Sequence, residues 1–403
     1  MKPFFKVIAA LMAIVIVVSA AGCVPMSLTK DWGYKYSDKT LSKEYAIGMY
    51  IYSLYQAYSE AKTYAEKVKG YKENKPFTDL KITDDKNKKA VAKDWIKNKA
   101  EETMLGIVAL DYLCKKNNVK WDDAAMKSAR ATAKDSWEMG PYASYGYYQP
   151  IKDQVEKYGV SLESFTYIAG DAGVKQQALF DKLYSKGGSQ EVSDKDLTDY
   201  FLKNYVDYSY IPVHLYKSST DASGNSKSEK FKADKIKKIK KELEEIANDI
   251  SSGKTTLDKA IEKCEKDYGT ASADEVKGTV STKEELESSN ADIAKAIDKM
   301  SNGKAKLVVV GEDGDSPTAY IAVKNDLNKD IDSYIKNDSN RSSVLQKMKN
   351  EDLKKLLEKT GKDLKKSDAL QINEGAINKY QPEMFYEEPE ETTAPAADAD
   401  AAQ

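Results

Sequence analysis

Few side chains in these 403 residues can do chemistry. The chain has one histidine, His214, and three cysteines, Cys23, Cys114 and Cys264. A structural zinc ion takes four nitrogen or sulfur ligands, which one imidazole and scattered thiols cannot supply. A serine nucleophile would need His214 beside it, and no Gly-x-Ser-x-Gly elbow occurs. Gly311-Glu312-Asp313-Gly314-Asp315 has the composition of a calcium loop. It lacks the closing bidentate glutamate and the flanking helices, so a hairpin turn is expected there. Phosphate-loop and dinucleotide fingerprints are absent from the sequence. The expectation is a protein without metal or cofactor, whose many carboxylates form solvated faces.

The elements that must position these groups read as mostly helical. Tyr45, Met49, Tyr52, Tyr55 and Tyr58 recur at three and four, which predicts a helix over 42–69 with Ser42 as N-cap. A loop is expected over 70–87. A second long helix over 87–117 carries Trp95, Ala100, Met104, Ile107, Leu110, Leu113 and Cys114 on one stripe. Shorter helices follow over 121–137, 150–158, 161–169, 171–186 and 194–205, with Ser161 and Ser193 as N-caps. Residues 206–216 turn β-branched and aromatic, predicting one strand, and 218–228 reads as a flexible connection. On that strand His214 shares a face with Tyr208, Tyr210 and Tyr216, opposite Ile211, Val213 and Leu215. Helices are expected over 229–252, 256–266 and 290–300, then a hairpin of 307–310 and 319–324. Helix returns over 328–360, and Leu370-Gln371-Ile372 with the segment to Tyr386 closes the fold. The acidic, Pro- and Ala-rich stretch 387–403 is expected to be disordered.

Residues 1–22 read as an export signal. Lys2 and Lys6 precede an uncharged apolar run over 7–20, and Ala20-Ala21-Gly22-Cys23 closes it with the lipobox pattern of bacterial lipoproteins. The run is short for the roughly 30 Å of hydrocarbon in a bilayer. An uncleaved anchor or a plain secretory signal are the alternatives. Acyl chains on Cys23 would hold the protein on the outer face of the cell membrane, where each buried methylene adds about 0.8 kcal/mol. Basic and acidic residues number 63 and 65, and removing Lys2 and Lys6 leaves 61 against 65. No basic excess is left for a nucleic-acid partner. Cys114 and Cys264 both lie in apolar helical patterns; buried thiols are expected, with a disulfide between them left open.

In its order of elements the chain resembles the SurA/PrsA-type foldases. Ser193-Asp194-Lys195-Asp196-Leu197-Thr198-Asp199-Tyr200-Phe201 is similar to the helix that leads such chains into a parvulin domain. Asp298-Lys299-Met300-Ser301-Asn302-Gly303-Lys304 and Ala319-Tyr320-Ile321-Ala322-Val323-Lys324 are similar to the parvulin ending. Residues 364–380, with Ile372-Asn373-Glu374, are similar to the closing strand and helix. The resemblance implies an α+β, mainly α fold. A helical SurA-like chaperone domain (41–205) is completed by the C-terminal helical part (327–386), around an inserted parvulin-like α/β domain (206–326). Residues 23–40 would be a tether. Active parvulins place two stacked histidines in their site; here Tyr210 and Ile321 stand at the matching positions, and Tyr268-Gly269-Thr270 is the nearest remnant of the Gly-rich loop. His214 is either a shifted catalytic histidine or an ordinary strand-face residue.

The expected activity is therefore that of an ATP-free extracytoplasmic chaperone for unfolded, newly exported polypeptides, tethered through Cys23. An active prolyl isomerase using His214 is the alternative, and a solute-binding lipoprotein a second one. The chain holds 27 Tyr against 8 Phe, and tyrosine joins an apolar face to a polar tip. That excess reads either as half-exposed helix packing or as a client surface. The client-binding candidates are Tyr50, Tyr55, Trp95, Met139, Tyr142, Tyr145, Tyr147 and Tyr148. The last four lie in a Gly- and Pro-rich aromatic segment that is either such a surface or a loop folded onto the helices.

Overall fold

The computed structural model describes residues 31–220, 226–269 and 276–388. Cys23, the signal and most of the acidic tail lie outside these residues. The fold is α+β and mainly α, and it divides into two compact units. One is built from the residues up to Glu191 together with those from Asn350 onward; the other is Val192–Lys349. The sequence reading places the borders at 205/206 and 326/327. The second unit extends further on both sides because Phe201 stacks on Tyr334, with ring centroids 4.9 Å apart.

In the first unit, β1 (Trp32–Ser37) pairs antiparallel with β2 (Ser42–Ala46) and with residues Leu370–Ile372. The tether expected over 23–40 thus ends in a strand. Tyr34 and Tyr36 alternate inward at the two-residue period and are buried. Asp38 turns the corner, accepting from the Thr40 and Leu41 amides at 2.7 and 2.8 Å. Ser42 is accordingly a strand residue and not a helix cap. Helix α1 (Ile47–Ala65) starts five residues later and is buried on most of its circumference, as befits a central helix.

Asp84 accepts from the Lys86 and Lys88 amides and folds the expected loop into a hairpin, β3 (Lys81–Thr83) with β4 (Lys89–Val91). Helix α2 (Ala92–Lys116) follows from it and packs along α1. Helix α3 (Asp123–Met139), α4 (Ile151–Val155), α5 (Leu162–Thr166) and α6 (Ala172–Tyr184) complete the first stretch. A π-helical turn, Tyr167–Asp171, joins the last two. Ser161 caps α5 as its position predicts.

The second unit opens with α7 (Asp194–Asn204), capped by Ser193, which leads into β5 (Tyr205–His214). The connection expected over 218–228 contains a hairpin, β6 (Tyr216–Thr220) with β7 (Ser226–Lys230). Helices α8 (Ala233–Ser252) and α9 (Leu257–Tyr268) follow, then β8 (Val276–Thr282), which the sequence pattern did not reveal. Short helices α10 (Lys283–Ser289) and α11 (Ala291–Asp298) lead to β9 (Lys304–Val310) and β10 (Thr318–Lys324). The sheet is antiparallel in the order β8-β5-β10-β9. Pro212 sits in its second strand without breaking a ladder: the Leu215 amide bonds toward β10, so alternation turns residue 212 the other way. Among the described residues, the pairing of β8 with β5 reaches no further than Val276 with Tyr210. Ile211, Val213, Ala319 and Ile321 pack against α8 and α9, whereas Val206, Tyr208 and Ala322 pack with residues of α10 and α11.

The helix expected over 328–360 is interrupted. Ile331–Ile335 ends before a longer helix, Asp338–Lys365, whose last four turns return to the first unit. Gly361 permits that return. A Cβ there would stand 2.9 Å from the Leu105 carbonyl oxygen of α2.

Candidate functional site

The large apolar side chains left exposed among the described residues are Trp121, Met139, Tyr142, Tyr145, Tyr147 and Tyr148. All six lie on α3 or beside its ends. Asp122 caps the helix by accepting from the Ala124 amide at 2.9 Å. Met126, Ala133 and Trp137 form its buried stripe, and the Trp137 ring meets Phe165 at 5.4 Å. Gly140 stops it at φ +96°, a conformation that an L side chain rarely adopts. A Cβ on Gly140 would also run into the Gln149 main chain.

Residues 140–149 then close on themselves. The Gln149 amide donates to the Met139 carbonyl at 3.1 Å, Tyr145 to Tyr142 at 2.9 Å, and Gly146 to Ala143 at 3.0 Å. With its backbone groups paired internally, the loop turns its rings outward: Tyr145, Tyr147 and Tyr148 are 78, 69 and 70% exposed. No charged residue occurs between Glu138 and Lys152, and these two pair with each other at 2.6 Å across the base. The product is a neutral, pre-formed display of phenol rings. Such a surface can bind apolar and aromatic groups and exchange hydrogen bonds, at low entropic cost. It is not folded onto the helices.

The remaining candidates go elsewhere. Tyr50 is 3% exposed and packs near Tyr34; burial pushes its phenol up to about 12. Tyr55 donates to Gln154 at 2.9 Å and sets its ring on Phe385, its phenol likewise raised by burial to about 12. The Trp95 indole donates to Asp84 at 3.3 Å and meets Tyr64 edge-on. Tyr50 thus lies in the packed interior, whereas Tyr55 and Trp95 are half-buried against it with their polar tips engaged. Trp121 was missed by the sequence reading. Its only signal is a tryptophan in the polar Asn117-Asn118-Val119-Lys120-Trp121-Asp122-Asp123 run between two helices.

Behind α3 lies an ionic cluster that the sequence did not announce. Asp111 of α2 accepts from Lys43 at 2.8 Å, Lys175 at 2.8 Å, Tyr45 at 3.0 Å and the Tyr167 hydroxyl. Both ammonium groups also donate to the Tyr167 oxygen, at 2.9 and 2.8 Å. Burial alone would raise the Asp111 carboxyl, but the two lysines hold it below the ordinary aspartate range. Arg130 clamps Asp171 with two 2.7 Å bonds at the π-helical turn. Every polar tip is engaged, which makes the cluster a joint between elements.

In the second unit Tyr210 faces Tyr320 edge-on at 5.4 Å and lies along Tyr208 at 6.2 Å. Ile321 cannot complete a ring pair with residue 210, because it sits opposite Ile211 on the other face of the sheet. His214 is exposed, 3.2 Å from the Thr318 hydroxyl and 4.9 Å from the Tyr216 ring. No second imidazole exists to stack on it. Cys114 and Cys264 are both free and buried, and burial raises their thiols to about 12 and about 11. Neither is a nucleophile at neutral pH. The Gly311–Asp315 segment is a turn: Gly314 donates to the Gly311 carbonyl, and Glu312 pairs with Lys240. Among the described residues no side-chain group suited to a metal ion occurs, and no helix is long and apolar enough to cross a membrane.

No family model and no curated protein matches the chain. Among solved structures, its neighbours include chains of the foldase PrsA. The Streptococcus pneumoniae str. Canada MDR_19A protein is 13% identical, with 74% of this chain and 98% of that one covered and a TM-score of 0.34. PrsA from Bacillus subtilis is 17% identical, with 73% and 94% covered and a TM-score of 0.24.

Proposed function

We propose that the protein is an ATP-free extracytoplasmic chaperone of the foldase type, held at the membrane through Cys23, that binds unfolded exported polypeptides. The observation that carries this reading is the concentration of exposed apolar side chains between 121 and 148, while the other Tyr, Phe and Trp rings among the described residues are at least partly buried. Met139, Tyr142, Tyr145, Tyr147 and Tyr148 form the client contact, with Trp121 at the far end of α3. Many shallow aromatic contacts bind weakly and release quickly, which suits a holdase. The resemblance of the sequence to SurA/PrsA-type chains supports the same reading.

Isomerase chemistry is given no role. Prolyl isomerisation faces a barrier of roughly 18–20 kcal/mol, and the exposed His214 has the Thr318 hydroxyl and the Tyr216 ring beside it but no second imidazole. A light-scattering assay with a chemically unfolded protein tests the proposal. The full chain should suppress aggregation, and replacing Tyr145, Tyr147 and Tyr148 by Ser together should abolish most of the effect. Suppression by neither protein would refute the chaperone reading. Acceleration of a protease-coupled prolyl peptide assay that His214→Ala removes would replace it with an isomerase.

A further inference from the structure

We infer that the outer edge of β9 is a strand-docking site for an extended, β-competent stretch of client polypeptide. This rests on the chaperone reading and names the class of segment bound. β9 is the last strand of its sheet, with β10 along one side and no described strand along the other. Ser251 shows which backbone groups face outward. Its hydroxyl accepts from the Ala305 amide at 2.8 Å and donates to the Ala305 carbonyl at 3.1 Å. Ala305 therefore turns both groups away from β10. By the two-residue alternation of an antiparallel ladder, Leu307 and Val309 turn theirs the same way. The stretch Leu307-Val308-Val309-Val310 is apolar and half-buried, so its side chains favour strand pairing.

The other edge of the sheet is built differently. Along β8 the register slips between Tyr208 and Tyr210, Gly278 adopts φ +56°, and its amide is taken by the Ser209 hydroxyl at 2.9 Å. A bulge of this kind twists an edge away from new partners. β9 has no bulge, proline or glycine, and Ser251 shields only its first outward rung. The outward groups of Leu307 and Val309 have no partner among the described residues, and only another extended main chain offers donors and acceptors at their repeat. Charge fixes the ends. Lys304 and Lys306, with Lys324 opposite Lys304, lie at one end; Asp313 and Asp315 lie in the turn beyond the other. The fitting occupant has an apolar middle, an acidic end toward Lys304 and a basic end toward the turn.

The probe is a fluorescein-labelled heptapeptide, Lys-Val-Ser-Val-Thr-Val-Glu, titrated against the full chain by anisotropy beside a twin with its end charges exchanged. Val309→Pro deletes an outward amide without removing a bond to β10, and should weaken binding of the better peptide about tenfold or more. Ser251→Ala bares a third rung and should tighten it severalfold. In the wild type, the peptide should slow hydrogen exchange at the Leu307 and Val309 amides, a readout that needs no variant. Unchanged affinity in Val309→Pro with Ile211 and Ile321 still protected, or exchange at 307 and 309 unaffected by saturating peptide, overturns the inference. A dimer seen by sedimentation and dissolved by Val309→Pro would give the edge to a second copy and overturn it as well. Peptide binding without suppression of aggregation would refute the chaperone reading and leave the edge intact as a peptide site.

Discussion

The first unit packs Tyr34, Tyr45, Tyr50, Tyr52 and Tyr58 into its interior, whereas the second packs Ile211, Val213, Ile239, Leu243, Ile246 and Ile321 between its sheet and two helices. An aliphatic core asks only for shape. A phenol brings a hydroxyl that must find a partner when buried, and in the first unit many of those partners are charged: Asp111 for Tyr45 and Tyr167, Asp38 for Tyr36, Glu60 for Tyr64. The same side chain, left outside on a closed loop, forms the proposed client surface. Tyrosine therefore stands in two settings in one unit, turned into the core or out to water.

Perturbations should separate the units in order of size. Removing the charge at the joint comes first. Asp111→Asn leaves Lys43 and Lys175 without their carboxylate and should cost about 3–5 kcal/mol. Hydrogen exchange should report the loss in α1 and α2 while β5 and β10 keep their protection. Comparable loss in both units would erase the distinction. Cavity formation is next: Leu243→Ala in α8 should cost about 2–5 kcal/mol, with exchange quickening around Ile211 and Ile321.

Acid should act on the first unit. Asp111 has a folded-state pKa below its unfolded value of about 3.9, so its stabilisation is complete above that pH and is lost as pH falls through the folded value. Stability followed between pH 6 and 2 should fall in the first unit, and Asp111→Asn should flatten that dependence. Smaller again, Tyr45→Phe removes one bond to a charged acceptor and should cost about 1.5–3 kcal/mol. At the bottom of the scale, the combined replacement of Tyr145, Tyr147 and Tyr148 by Ser should change stability by less than about 0.5 kcal/mol, because the rings are exposed. A large destabilisation would show that the loop is structural after all.

Local signals were legible where they were self-contained. Ile236, Ile239, Leu243, Ile246 and Ile250 define a helix by their own spacing, and Gly253 at φ +74° ends it. Ser161 and Ser193 cap the helices that follow them. The aromatic segment after Met139 could be singled out because Gly and Pro forbid a helix there. What failed depended on distant partners. Trp32–Ser37 reads as an irregular tether until its neighbours Ser42–Ala46 and Leu370–Ile372 are known, and Ser42 then pairs beside Ser37 instead of capping a helix. β8 carries a glycine and few apolar residues, so its pattern is faint without β5 beside it. Tyr50 lies in the core, which its sequence neighbours do not reveal because a stripe does not say which side the packing partners occupy. The Asp111 cluster draws on residues 43, 45, 111, 167 and 175, a set no local window contains.

The strand pairing of Tyr34 with Ile372 has a temporal consequence. Translation and export deliver a chain from its N-terminus, so β1 emerges long before the segment that completes its sheet. Residues 192–349 are contiguous and can fold as soon as they appear, whereas the earlier-emerging half must wait, unfinished, for the last portion to arrive. On the proposed reading, a chaperone would itself pass through the exposed state against which it is proposed to protect its clients.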